Sequence, residues 1–433
     1  MEMLALLLAA TLTGPSSSVS PYVVPIAPGA TTISILTAGD SVNGYRMVGV
    51  PDGLGAFDNG DGTFTVLMNH ELVGNASSFH AHGSRGAFVS KWIIRKSDFA
   101  VVRGEDLIQR VVLWNRTTNS YDPPSLGITL ANFCSANFDP ATGLFLNGEE
   151  NGEGRVFAHL LDGTSYELAR FGRAQWENAV IHPTARRTIV VGLDDVNGGF
   201  VYVYIGERQS SGSAIERAGL TNGATYAVGV SGNTFQLLNL GNLTAVGGGT
   251  QRALSTAVGA AAWERPEDGA WDPSHPNDFY FVTTATFETR SRLWRLRFDT
   301  LDDPARGGTI DMLLDGTEGP KMMDNIAVRA RGDVIIQEDP AGPPSYLAKV
   351  WRYDPATDTV SVIAEHDPAR FSGPAALSTG EESSGVIDAS AIVGDGWLLF
   401  DVQPHFGASP DIVQGGQLLA MHLPTPRRRA ARH

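Results

Sequence analysis

Along most of the chain, apolar runs of a few residues alternate with short polar turns rich in Gly, Pro, Asn and Asp. From residue 21 onward this pattern predicts short strands and turns, with almost no stretch of helical period. Asn59-Gly60, Asp61-Gly62, Asp162-Gly163, Gly198-Gly199 and Arg331-Gly332-Asp333 punctuate it. A loose unit recurs six times: a turn leads into an apolar strand, the strand closes on an acidic or polar pair, and a second strand returns. The apolar strands are predicted at 66–68, 144–146, 189–191, 279–282, 334–336 and 398–400. Returning strands follow five of them, at 156–160, 201–204, 293–296, 349–353 and 418–421. The spacing is irregular, and insertions such as the Gly/Ser/Asn-rich stretch 208–256 fill the gaps. Radial repetition of small antiparallel sheets protects their edges, so the expected fold is all-β, a six-bladed β-propeller with loop insertions. The competing arrangement is a β-sandwich with acids scattered over its surface.

The propeller gives those closing pairs a meaning. Equivalent strand ends gather around the central channel, so carboxylates far apart in sequence converge. The groups closing the units include Asn69 and Glu71, Glu149 and Glu150, Asp194 and Asp195, Glu338 and Asp339, and Asp401. Further acids stand just before strands, at Glu177, Glu267, Asp324, and Glu381 with Glu382. Together they supply oxygen ligands for several cations. Cys134, the only cysteine, precedes Glu149 and Glu150 by about fifteen residues. A thiolate near hard carboxylates suits a metal site, whereas the cysteine taken alone reads more readily as a small buried hydrophobe beside a solvated Glu-Glu loop. His80 and His82 are expected in a solvated loop. The run 58–62 imitates a calcium loop, but its twelfth position is Asn69, or Leu72 counted from Asp61, so a tight hairpin explains it better.

Composition narrows the choice. The chain has 433 residues, 42% of them hydrophobic, enough for a large core. Its 32 basic against 47 acidic side chains give −15, which excludes a nucleic-acid partner that needs a basic face. One cysteine excludes an internal disulfide framework and any CxxC pair. The apolar run at 4–10 resembles a secretory signal without its basic flank. Residues 1–20 are therefore read as an incomplete signal peptide or a disordered N-terminus, 21–425 as a single propeller domain, and 426–433 as a basic flexible tail. No other apolar run approaches the roughly 20 residues of a membrane span.

These motifs, in this order, resemble the PhoX-type alkaline phosphatases, a family of secreted six-bladed propellers. The likeness runs from Asn69 to roughly Gln403: Asn69-His70-Glu71, Cys134 ahead of Glu149-Glu150-Asn151, Glu177, Asp194-Asp195, Arg265-Pro266-Glu267, Asp324-Asn325 and Glu338-Asp339. It departs after Cys134, where the family has a Gly- and Trp-rich segment and this chain reads Ser-Ala-Asn-Phe, and in the last unit. The resemblance implies Fe3+ and Ca2+ as cofactors. It implies Cys134, Glu177 and Glu267 on iron, Glu149 or Glu150 bridging iron or binding calcium, and Asp194, Asp195 and Glu338 leaning toward calcium. Asn69, Glu71 and Asp339 complete the expected metal set. Arg265 would bind the phosphoryl group, with Cys134 and Glu267 beside it in the catalytic site. Cys134 reads as a ligand rather than a nucleophile, since no His partners it in sequence. The implied activity is hydrolysis of a small phosphomonoester by a secreted or periplasmic monomer. A calcium-dependent phytase-like or lactonase/esterase propeller, and a non-catalytic calcium-stabilised binding propeller, are the alternatives.

Overall fold

A computed structural model of the chain describes residues 9–340 and 346–424. Six antiparallel sheets surround a central channel. Blade one is Pro51–Asp58, Thr63–His70, Phe88–Arg95 and Val101–Asp106. Blade two is Phe133–Asp139, Leu144–Gly154, Val156–Leu160 and Thr164–Glu167, with Arg110–Val112 added in parallel. Blade three is Ala174–Ile181, Arg187–Asp194, Val201–Glu207 and Ala224–Ser231. Blade four is Pro266–Trp271, Asp278–Thr283, Arg292–Phe298 and Gly308–Leu314. Blade five is Met323–Val328, Val334–Glu338, Lys349–Asp354 and Thr359–His366. Blade six takes Glu382–Asp388, Trp397–Gln403 and Gln417–His422 from the end of the described chain. Its fourth strand, Thr31–Thr37, comes from the other end of the chain and closes the ring.

The ring is continuous. Each blade's first strand packs against the first strand of the next, and that of blade six returns to that of blade one. Six apolar clusters fill the six seams. Along one strand, Phe279 and Phe281 face blade three while Tyr280 and Val282 face blade five. Both faces of a blade are dry, so its strands read as continuous apolar runs rather than as alternation.

All six predicted apolar strands are the second strands of blades, and the predicted returns are third strands. The innermost strands were not foreseen. Glu177, Glu267 and Asp324 lie within them rather than before them. The run 58–62 is the hairpin between the first two strands of blade one. A ten-residue helix, Gly248–Ala257, occupies the 208–256 insertion; its buried face is Gly248, Gln251 and Ser255, polar or side-chain-free, so apolar periodicity does not reveal it. Ala10–Thr13 pairs in parallel with 31–34, inside the 1–20 stretch set apart by sequence. Residues 4–8 of the apolar run and the tail 426–433 lie outside the described residues. Among the described residues no helix is long and apolar enough to cross a membrane.

Candidate functional site

Blades one to five repeat one local device. The register between the first two strands breaks after Pro51↔His70, Phe133↔Glu149, Trp176↔Asp194, Pro266↔Thr283 and Met323↔Glu338. A bulge in an antiparallel pair bends the strand and re-aims a side chain. The residue just past each break is Asp52, Cys134, Glu177, Glu267 or Asp324. The residue that follows each second-strand partner at the break is Glu71, Glu150, Asp195, Thr284 or Asp339, and its N–H donates to the carbonyl of Val50, Asn132, Gln175, Arg265 or Met322 respectively. Four of those acceptors, Val50, Asn132, Arg265 and Met322, have positive φ without being glycine. Such backbone is costly and concentrates at functional sites.

The result is a cavity of about 500 Å³ at one end of the channel, lined by Glu71, Glu150, Glu177, Asp195, Glu267, Asp324, Asp339, Glu382 and Cys134. Among the described residues, Arg265 and His405 are its only basic side chains. Four trios hold ligand atoms within 4.8 Å of one another: Asp52, Glu71 and Cys134; Cys134, Glu150 and Glu177; Glu177, Glu267 and Asp324; Asp324, Asp339 and Glu382. Each trio shares a member with the next. The four trios form one continuous run of candidate donors.

Electrostatics set this cluster apart from a solvated acidic surface. Burial first, and neighbouring carboxylates second, push Asp52, Glu150, Glu267, Asp324 and Asp339 well above the usual carboxylate range. Glu71 is pushed up to about 8 by burial and Glu382. Burial and the surrounding acids raise the Cys134 thiol too, and its Sγ lies 3.6 Å from Asp52 Oδ2. Arg265 spans two acids: Nε and Nη2 each donate to Asp195 at 2.9 Å, and Nη2 lies 2.6 Å from Glu267 Oε1. At the rim, burial works against the charge of His405, but Glu382, 3.4 Å from its Nε2, raises it to about 9.

Beneath the trios a polar layer closes the floor. Ser135 Oγ donates to Glu177 Oε1 at 2.5 Å and accepts from Asn325 Nδ2 at 2.8 Å, while Asn178 donates to Asp268. Glu177 Oε2 is buried without a hydrogen-bond partner, aimed where two trios meet. Below the layer lies a second cavity of about 360 Å³, lined by Leu54, Val180, Trp271 and Ile326 and equally by polar groups such as Asn137, Asp139 and Asp388.

Of the ligands expected from sequence, Cys134, Glu150, Glu177, Asp195, Glu267, Asp339 and Glu71 line the cavity with Arg265. Four do not. Glu149 is clamped by Arg155, Nε to Oε2 at 2.5 Å and Nη2 to Oε1 at 2.6 Å. Asp194 is held by Arg252 at 2.9 and 2.6 Å. Glu338 accepts from Trp351 Nε1 and Tyr346 Oη, at 2.8 Å each, and from two backbone N–H groups. Asn69 donates to the Cys134 carbonyl and accepts from Asn147. Glu149, Asp194 and Glu338 each precede an inward-facing position by one residue, and successive strand side chains face opposite ways. His82 is buried rather than solvated. Sequence reasoning missed Asp52; it named Asp324 and Glu382 as oxygen donors before strands without giving them a place in the metal set that the resemblance implies, and both line the cavity with His405. Pro51-Asp52 opens its strand as Pro266-Glu267 does, a likeness that could have pointed to Asp52.

Neither a family model nor the sequence of a curated protein matches this chain. Among solved structures it is similar to PhoX of Pseudomonas fluorescens in complex with vanadate, a transition state analogue. The TM-score is 0.72 at 14% identity, over 96% of this chain and 97% of that one. The chain thus has the PhoX fold. The WD40 propeller domain of Doa1 also matches, at a TM-score of 0.40 and 10% identity over 90% of this chain and 96% of that one.

Proposed function

We propose that this protein is a metal-dependent phosphomonoester hydrolase whose ions are held at the carboxylate-lined end of the channel. The observation that carries the reading is the chain of four linked trios around one cavity that also holds Arg265. A set dominated by carboxylates with one thiolate fits hard cations, and Cys134 adds the soft donor that iron accepts. Cys134, Glu150, Glu177 and Glu267 would hold iron, while Asp324, Asp339 and Glu382, an all-oxygen trio, would hold calcium. Bound there, the ions would supply Lewis-acid stabilisation of the charge that gathers on phosphoryl oxygens.

The chain's own groups do the rest. Arg265 contributes a planar, permanently charged fork matched to phosphate oxygens, and Asp195 orients it by two bonds. Ser135 and Asn325 fix Glu177 from below, so its free oxygen stays aimed into the cluster. The similar PhoX structure holds vanadate, a phosphoryl mimic, in keeping with this chemistry. The reading carries with it a secreted or periplasmic monomer acting on a small phosphate ester.

The test is metal content together with hydrolysis of p-nitrophenyl phosphate, in the wild type, Arg265→Ala and Cys134→Ala. We expect iron and calcium in the wild type. Arg265→Ala should lower turnover by about 100-fold or more with metals retained, and Cys134→Ala should lose iron. Calcium alone with no phosphomonoester turnover would overturn the reading in favour of a calcium-stabilised binding propeller.

A further inference from the structure

On the side of blade two that turns away from the channel lies a further pocket, of opposite chemistry. Its volume is about 430 Å³, and Arg116, Arg155 and Arg173 line it with Asn151, Glu149 and Glu153. It begins one residue outside the acidic cavity. Ala131 and Glu149 belong to it, while their successors Asn132 and Glu150 are bonded to each other and Glu150 lines the cavity. Three arginines against two glutamates give its lining 3 − 2 = +1, whereas the cavity sets eight carboxylates against Arg265 and His405.

Hydrogen bonding sharpens the contrast, because the pocket's acceptors are occupied and its donors are not. Glu149 Oε1 accepts from the Ala131 N–H at 3.1 Å and from Arg155 Nη2 at 2.6 Å. Its Oε2 accepts from the N–H and Nε of Arg155 at 3.2 and 2.5 Å. Glu153 Oε1 takes the Gly248 N–H at 2.9 Å, and Asn151 Oδ1 takes the Glu153 N–H at 3.2 Å. Arg173 is matched by Glu167 just outside the lining, Nη2 to Oε1 at 2.6 Å. Burial most of all, and then the like charges of Arg116 and Arg155, disfavour the charge of Arg173, so the three guanidinium groups stand close together. Among the described residues Arg155 Nη1, the Asn151 amide nitrogen and the whole of the exposed Arg116 guanidinium make no hydrogen bond, and Arg116 has no ion pair. We infer that this pocket binds a phosphate-type oxyanion, with Arg116 as its main contact and Arg155 Nη1 and Asn151 Nδ2 beside it. A guanidinium fork matches such an anion in shape and charge. A chain of charge −15 with eight acids in its cavity repels a phosphate dianion at a distance, and a cationic pocket beside that cavity gives the approaching anion a first hold. The inference goes beyond the proposed hydrolysis and does not depend on it.

The test is equilibrium dialysis of inorganic phosphate against the purified protein with its metals, in the wild type, Arg116→Ser, Arg116→Lys and Arg265→Ala. Arg116 is exposed and unpaired, so its variants should fold. Arg116→Ser should bind one phosphate fewer than the wild type over the range where the wild type saturates. Arg116→Lys, which keeps the charge and loses the fork, should bind that phosphate about tenfold more weakly. Arg265→Ala should keep the Arg116-dependent phosphate. Repeating the dialysis with phenylphosphonate, whose C–P bond is not hydrolysed, separates the two sources of the anion. Binding of both probes at this pocket extends it to esterified phosphoryl groups, and binding of phosphate alone restricts it to the free anion. If Arg116→Ser binds as much phosphate as the wild type, with equal affinity, the inference falls and the channel reading stands. If Arg116-dependent binding persists in a protein that hydrolyses no phosphomonoester, the channel reading falls and the inference stands.

Discussion

At the register breaks of three blades, two acids stand side by side and meet opposite fates. Glu149, Asp194 and Glu338 turn away from the channel, and each is satisfied by dedicated partners: the charge of Arg155 or Arg252, or the hydrogen bonds of Trp351 and Tyr346. Their neighbours Glu150, Asp195 and Asp339 turn inward to the acidic cavity. Asp195 meets Arg265 there, but Glu150 and Asp339 face mainly other carboxylates. One strand step reverses the face and therefore the electrostatics. Burial alone does not mark a functional acid; the lack of dedicated donors is the stronger sign. On the proposed function, the outward acids serve architecture and the inward ones hold cations at the expense of stability.

The sharpest break of this comparison is to neutralise one member of a pair at a time. On the proposed function, Glu150→Gln removes a ligand of the Cys134 trio, and turnover should fall by about 100-fold as iron content drops. Glu149→Gln should leave metal content unchanged and show its effect in stability, since Arg155 loses its partner. Equal losses of metal in both variants would mean that the two faces are not separate. The next effect in size concerns the outward acids alone. Arg252→Ala strands Asp194, which is 0% exposed, and should cost about 3 kcal/mol in urea unfolding. Adding Asp194→Asn should recover much of that loss, because the penalty comes from the stranded charge rather than from the missing bond.

The sequence conveyed the blades better than the channel. Second and third strands are buried on both faces, so they appear as unbroken apolar runs such as 279–282 and 334–336. The inner strands interrupt that signal with the residues that make the site: Pro51-Asp52-Gly53, Trp176-Glu177-Asn178 and Met323-Asp324-Asn325 carry polar groups where a core strand would be apolar. Asp52 was lost for that reason. The acidic pairs were visible, but which member faces inward depends on a register break that no local pattern encodes. The partners that satisfy Asp194 and Glu338 lie 58 and 13 residues away, so the outward role was hidden as well.

The smallest effect tests the inward acids without any substrate. Glu71 is raised from 4.5 to about 8 by burial and then by Glu382. The folded state therefore keeps a proton that the unfolded chain releases. Its contribution to stability is fully present below about pH 4.5 and is lost as the pH rises through about 8. Asp268 in the floor, raised to about 7 by burial, acts in the same direction. Protein stripped of metals with a chelator should then melt at progressively lower temperature from pH 5 to pH 9. Excess calcium should flatten that slope, since a cation favours the ionised carboxylates that the empty cavity disfavours. Glu71→Gln should flatten it in the stripped protein by a smaller amount, because one acid of several has been removed. A melting temperature that climbs with pH in the stripped protein would show that the inward acids are compensated as fully as Glu149 and Asp194, and the contrast between the two faces would fail.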